Sequence, residues 1–296
     1  MTCMQKPLLL QTWALSIEKK LDELLPLEPC CYQIVQEAAR YALLSQGKRL
    51  RPLLTLATVH ALSSNPELAL VPACAVECVH SYSMIHDDLP CMDNDDFRRG
   101  QPTVHRQYRE DIAILAGDYL LTHAFDLIAK APELNAEQKI ALVATLSEKA
   151  GAAGMIGGQV MDIAACETPE TLAQLEETHL RKTGALIAAA LLVGGIVAQA
   201  PPATIQLLNT LGYQLGLGFQ IIDDILDVTA SEVKHGKPSG TDAANGKVTY
   251  VTLLGVESAK AKALELESQI QETLLELPGD TSMLRALVTK CIQRTH

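Results

Sequence analysis

Two aspartate clusters carry the most legible chemistry in this chain: Asp87-Asp88-Leu89-Pro90-Cys91-Met92-Asp93 and, far downstream, Asp223-Asp224-Ile225-Leu226-Asp227. Each follows a largely apolar run, Ser83-Met84-Ile85 in the first case and Phe219-Gln220-Ile221-Ile222 in the second. Carboxylates this close repel one another, and in apolar surroundings their desolvation is costly unless cations neutralise them. Oxygen-only donor sets favour hard divalent ions. Mg²⁺ in particular keeps several waters and is held by one or two carboxylates together with phosphate oxygens. The pattern asks for a phosphate-bearing substrate.

Acidic helix ends facing solvent are the common fate of charge runs, and that reading accounts for one cluster better than for two. No Asp, Glu, Lys or Arg occurs from Thr183 to Ile222, and the second cluster terminates that stretch. On a helix Asp223 and Asp227, at i and i+4, share a face, whereas Asp224 is rotated by about 100° toward a second ion or a neighbouring lysine. In the first cluster Pro90 disfavours α geometry at Leu89, so the helix carrying His86-Asp87-Asp88 is expected to end or bulge there. A loop then brings Asp93 back toward Asp87.

Cations gather at two places, and three further lysines are candidates. Gly47-Lys48-Arg49-Leu50-Arg51-Pro52 reads as a helix junction where guanidinium forks and an ammonium form an anion seat. Arg98 and Arg99 follow the first acidic cluster, and Lys182-Thr183, Lys237 and Lys247 each stand near a glycine. Two rival chemistries are weaker. A His-Asp metal phosphohydrolase centred on His86-Asp87 needs further histidine ligands at suitable spacing to Asp223, and none stands there. Cys74, Cys78 and His80 could form a zinc set, but small thiols at i and i+4 on an apolar helix more often pack a core.

The elements that must position these residues are helices. Apolar residues recur at i, i+3 and i+4 over Leu8–Leu25, Cys31–Leu44, Arg51–Leu62, Glu67–His86, Asp111–Ala129, Ala136–Ala165, Thr171–Ala198, Ala203–Val228, Val248–Leu275 and Thr281–Arg294. Prolines punctuate the breaks, and Pro72 places the true start of the fourth helix near itself. Alternating strand patterns are absent. The prediction is an all-α bundle of ten or more helices, a single domain over residues 1–296.

The composition, 48% hydrophobic with 24 Lys+Arg against 35 Asp+Glu and a net charge of −11, argues against a nucleic-acid surface. Eight cysteines without framework spacing suit reduced thiols in the cytoplasm. The first residues read as the start of an amphipathic helix rather than a signal peptide. Gly184 to Ala200 is almost wholly apolar and at the lower length limit of a membrane span. No basic flank orients it, and the Gly-rich next helix is interrupted by Gln206, Asn209, Gln214 and Gln220. Two central helices buried on all sides, with Gly and Ala allowing close approach, are expected instead of a transmembrane hairpin.

Taken in order, Gly47-Lys48-Arg49-Leu50-Arg51-Pro52, Asp87-Asp88 with Asp93 and Arg98-Arg99-Gly100, Gly157-Gly158-Gln159 with Asp162, Lys182-Thr183-Gly184, Phe219-Gln220 with Asp223-Asp224 and Asp227, and Gly246-Lys247 before Thr249-Tyr250 resemble the all-trans polyprenyl diphosphate synthases. The resemblance covers nearly the whole chain. The spacing of the first motif resembles the bacterial farnesyl and plant-type geranylgeranyl synthases.

The resemblance implies an all-α isoprenoid-synthase bundle around a central substrate cavity, a homodimer, and three Mg²⁺ ions, with Mn²⁺ as a substitute. It implies metal ligation by Asp87, Asp88, Asp93, Asp223 and Asp227. The allylic diphosphate would bind Arg98, Lys182, Thr183, Gln220, Lys237 and Lys247, and isopentenyl diphosphate would bind Lys48, Arg51, His80 and Arg99. Lys182, Asp87 and Asp223 would act most directly in catalysis, by ionisation, condensation and proton loss without a side-chain nucleophile. Tyr82, five residues before Asp87, with Ser83 beside it, would set chain length at the farnesyl product. A geranylgeranyl product is the alternative, since Ser81 and Ser83 leave space. A non-catalytic regulatory subunit would typically lose an aspartate motif, and a terpene cyclase would not need Gly47 to Arg51.

Overall fold

The structure, a computed structural model, describes residues 5–63, 65–165, 171–229 and 248–292. In chain order these form α1 (Gln5–Leu24), α2 (Gln33–Leu43), α3 (Leu50–Ser63), a 3₁₀ turn (Pro66–Ala69) and α4 (Leu70–Asp87). A minimal hairpin follows, β1 (Phe97–Arg98) with β2 (Gln101–Pro102), then α5 (Val104–Tyr108), α6 (Glu110–Lys130), α7 (Ala136–Ala150), α8 (Met155–Ala165) and α9 (Leu172–His179). A π-helical turn (Leu180–Gly184) leads into α10 (Ala185–Val197), α11 (Pro202–Thr229), α12 (Tyr250–Leu254), α13 (Val256–Glu276) and α14 (Ser282–Ile292). The all-α prediction holds.

The helix boundaries differ from the periodicity in ways that have local causes. The stretch 136–165 is two helices, interrupted after Ala150 around Gly151 and Gly154. The stretch 171–198 contains the π turn, and 248–275 is divided at Gly255, whose φ of 78° is left-handed. α4 begins at Leu70, so Pro72 sits in its first turn, where its missing N–H costs no hydrogen bond. The hairpin was not legible as alternation because each strand has two residues.

α10 is the centre of the protein. Every residue from Ala185 to Val197 except Ile196 is buried, and the helix packs against α3, α7 and α11. Among the described residues, four stretches are long and apolar enough to cross a bilayer by length and composition alone: Pro66–Asp87, Glu110–Lys130, Ala136–Ile163 and Leu172–Val197. The last contains α10, which finds its apolar surroundings within the protein. α10 and α11 approach closely enough that a Cβ at Gly212 would lie 2.3 Å from Ala188 Cα, and one at Gly216 would lie 2.4 Å from Gly184 Cα. Gly212→Ala is therefore expected to destabilise the fold by about 1–3 kcal/mol or more, through overpacking against a backbone that has no room to move. A thermal melt checks this, at roughly 2–4 °C per kcal/mol for a chain of this size class.

Candidate active site

α4 delivers the first aspartate cluster and ends as Pro90 dictates. The Leu89 N–H donates to His86 O at 3.2 Å, and the Met92 and Asn94 N–H groups donate to Leu89 O. The Asp93 N–H returns to Asp87 O at 2.8 Å, so the loop brings the two residues together by a backbone bond. α11 delivers Asp223 and Asp227 near its C-terminal end. Asp87 and Asp223 line one cavity of about 1160 Å³. Asp93 and Asp227 stand beside it rather than in its lining. Burial, reinforced by Asp93 and Asp88 and opposed by Lys182 and Arg98, pushes Asp87 up to about 6.

Asp88 has a different setting. It is 3% exposed, and Arg98 Nε donates to its two carboxylate oxygens at 2.8 and 2.9 Å. Arg98 itself lines the cavity, so Asp88 orients a cavity-facing cation from behind. The hairpin explains how Arg98 and Arg99 reach the site. Arg98 pairs with Gln101 across a two-residue turn, Arg99-Gly100, in which both φ angles are positive, 53° and 79°. That is the turn geometry whose twist suits a hairpin. The arginine at its tip is an unusual occupant, and it lines the cavity.

The second cationic side comes from the π turn. Gly158 of α8 permits this turn to approach, because a Cβ there would lie 2.1 Å from the Lys182 backbone nitrogen. Lys182 Nζ donates to Asp162 at 2.5 Å. Burial opposes its charge, but Asp162, Asp87 and Asp93 hold its pKa above the ordinary value. Thr183 Oγ1 donates to Gln220 Oε1 at 2.9 Å, tying the turn to α11, and Lys182, Thr183 and Gln220 all line the cavity. Lys237 and Lys247 lie outside the described residues.

Lys48, Arg51, His80 and Arg99 line the same cavity. Arg51 Nε is buried without a hydrogen-bond partner among the described residues, as is Gln159 Nε2. Both residues line the cavity, and neither donor meets a protein acceptor among the described residues. Burial, helped by Arg51, Arg99, Arg98 and Arg49, holds the His80 pKa well below its usual value, so the ring is neutral.

Arg49, read with its neighbours as part of the anion seat, is 3% exposed and occupied internally. It donates to Glu18 at 2.6 and 3.1 Å, to Glu77 at 3.0 Å and to Ser45 O at 2.8 Å. Asp224, expected to turn toward an ion or a lysine, is buried and accepts from the Tyr250 backbone N–H at 2.8 Å, joining α11 to α12.

Tyr82 is 5% exposed, lines the cavity and meets the His86 ring edge-on at 5.8 Å. Burial, with Asp87 adding to it, pushes its hydroxyl up to about 12. Ser83 also lines the cavity, whereas Ser81 faces a small recess behind it. His86 Nε2 bonds Ile114 O at 3.0 Å, a structural tie between α4 and α6. Cys74 and Cys78 are buried free thiols in the core, and no metal-holding group of three His, Cys, Asp or Glu occurs among the described residues.

Sequence reasoning passed over the apolar lining, which includes Met84, Leu121, Met155, Ile187 and Phe219 from five different helices, α4, α6, α8, α10 and α11. Their helical spacing marks them as inward-facing but cannot separate a cavity wall from a packed core. It also passed over Glu77, whose only signal was a lone carboxylate inside an apolar helix.

The polyprenyl synthetase family model matches residues 32–283. A farnesyl diphosphate synthase of Bacillus subtilis is 47% identical over 256 residues, 86% of this chain and 85% of that protein. A chloroplastic geranylgeranyl pyrophosphate synthase of Capsicum annuum is 43% identical over 264 residues, 88% of this chain and 71% of that one. A geranyltransferase from Helicobacter pylori, solved as a complex with magnesium and isoprenyl diphosphate, superposes with a TM-score of 0.83 at 34% identity, covering 97% of each chain. With the match extending across the helices that build the cavity, this chain belongs to the polyprenyl synthetase family.

Proposed function

We propose that the chain is a Mg²⁺-dependent prenyltransferase that condenses isopentenyl diphosphate with dimethylallyl and geranyl diphosphate to give farnesyl diphosphate. It acts as a cytoplasmic homodimer, each chain a single domain over residues 1–296. The observation that carries this reading is one cavity lined by Asp87 and Asp223 from the two aspartate clusters, by a cationic set and by apolar side chains. The similarity to the Bacillus subtilis farnesyl diphosphate synthase supports the product. The apolar residues left exposed outside the cavity lining, Ile114 and Leu115 of α6 and Ile140 of α7, support a dimer surface.

The donor set fits the metal. The cavity-facing carboxylates are hard oxygen ligands, burial with Asp93 and Asp88 adding to it raises Asp87 toward protonation, and an open site with few protein ligands is the kind Mg²⁺ uses with phosphate oxygens. Asp87 and Asp223 would hold the ions, three in number with Mn²⁺ as a substitute, with Asp93 and Asp227 beside them and Asp88 orienting Arg98. Bound metal supplies positive charge to the allylic diphosphate as its C–O bond breaks.

The remaining work falls to the chain itself. Lys182, Arg98, Thr183 and Gln220, completed by Lys237 and Lys247, hold the allylic diphosphate. Lys48, Arg51 and Arg99 bind the isopentenyl diphosphate, and His80 adds a neutral hydrogen-bond donor. The apolar lining keeps water from the allylic cation while the isopentenyl double bond attacks it. A proton then leaves to the released diphosphate.

Incubation with isopentenyl diphosphate, geranyl diphosphate and Mg²⁺, followed by chromatography of the prenyl products, is expected to yield farnesyl diphosphate. A geranylgeranyl product is the second reading, favoured by the Capsicum annuum relative and by Ser83 in the cavity wall. Tyr82 decides between them. Tyr82→Ala removes a buried ring from the wall and is expected to leave the enzyme active and shift its products to geranylgeranyl or longer chains. An unchanged chain-length distribution would leave Tyr82 as a packing residue only.

A further inference from the structure

Glu77 is a buried carboxylate, 3% exposed, in the otherwise apolar stretch Leu70 to Val79 of α4, and it lines the cavity. It stands among three guanidiniums. Arg49 donates to it at 3.0 Å, and Glu77 is the strongest favourable charge acting on both Arg51 and Arg99. The cluster is tight around Gly47, where a Cβ would meet Arg99 Nη1 at 2.8 Å and Arg49 Nη1 at 3.3 Å.

Anchoring Arg49 does not account for this carboxylate. Arg49 already makes two bonds to Glu18 and one to Ser45 O. Burying a further carboxylate is costly unless its charge is used. Glu77 faces the cavity, whereas Glu18 does not line it.

The bookkeeping of the reaction shows what such a charge could do. The allylic C–O bond breaks and its diphosphate departs, a C–C bond forms to isopentenyl, and one proton is lost. The isopentenyl diphosphate stays covalently on the product. The anion that enters this basic seat with isopentenyl therefore has to leave it attached to a longer chain. A seat of uncompensated arginines would retain it.

We propose that Glu77 is a built-in counter-charge that holds the isopentenyl diphosphate seat below its full anion affinity, so that the product carrying the same diphosphate can leave. This rests on the assignment of the seat made above. Glu77→Gln keeps an acceptor for Arg49 and removes the charge. It is expected to lower the KM for isopentenyl diphosphate about tenfold, tighten inhibition by farnesyl diphosphate by a similar factor, and leave the KM for geranyl diphosphate within about twofold. kcat falls as release slows. The gain in affinity should shrink as ionic strength rises, which a purely structural defect would not produce.

Glu77→Asp, whose carboxylate is withdrawn by one methylene, should show the same fall in KM to a smaller degree and serves if Glu77→Gln does not fold. Glu18→Gln disturbs Arg49 from the other side and should lower thermal stability without lowering KM. An unchanged or raised KM in both Glu77 variants, or an equal fall in Glu18→Gln, overturns the proposal. Wild-type turnover is measured first, and its absence would overturn the activity itself, a result distinct from an active enzyme in which Glu77 proves neutral.

Discussion

Asp87→Ala and Asp223→Ala are each expected to lower turnover by about 10³-fold or more while the helical circular-dichroism spectrum persists. Loss of a single preorganised charge-stabilising group at a reacting centre costs about 10²–10³ in rate, and loss of a metal ligand removes several kcal/mol of such stabilisation. Both residues reach the cavity from helix ends, Asp87 from α4 and Asp223 from α11, so truncating either leaves the α10–α11 core intact. The wild-type enzyme is expected to lose Mg²⁺ affinity as the pH falls through about 6, because burial and the neighbouring aspartates raise Asp87 to that value. Above it the ion meets a carboxylate, and below it the ion must displace a proton. Titration of Mg²⁺-dependent turnover at several pH values reads this directly, and full turnover in EDTA would end the metal assignment.

Lys182→Ala is expected to depress kcat by about 10²–10³-fold, whereas Arg51→Ala should chiefly raise the KM for isopentenyl diphosphate. Lys182 lies within the field of Asp87 and Asp93 and is held by Asp162, a position from which, in the proposed reaction, its charge would act on the diphosphate that departs. Its contribution grows as negative charge develops on the leaving group. Arg51 has a buried donor with no protein acceptor among the described residues, and in the proposed seat it would meet a diphosphate whose charge does not change during the reaction. Such a contact stabilises ground and transition states alike, so its loss appears in KM. Steady-state kinetics with each substrate varied in turn separates the two. If both variants altered only the allylic KM, the division into two diphosphate seats would be wrong.

The chain alone determined a great deal. Helical periodicity is local, and it gave the all-α class because a 3.6-residue repeat needs no knowledge of partners. The aspartate clusters and Pro90 were equally local, so the helix end at Asp87 and the return of Asp93 could be foreseen from steric rules. The near-absence of charge from Thr183 to Ile222 marked α10 and α11 as interior, and Gly212 and Gly216 became their contact.

Other features depended on which groups the fold brings face to face. Arg49 and Arg51 stand two residues apart with the same side-chain chemistry. Glu18 and Glu77, distant in sequence, consume the first as a clamp, while the second keeps a donor for the cavity. Asp87 and Asp88 are adjacent, yet one lines the cavity and the other is bound by an arginine that a hairpin folds back onto it. Asp224 accepts from a backbone N–H at the start of α12, a partner that spacing alone does not reveal. Adjacent residues on a helix point about 100° apart. Type and spacing therefore reveal what a group can do, and only tertiary packing decides which neighbour satisfies it first.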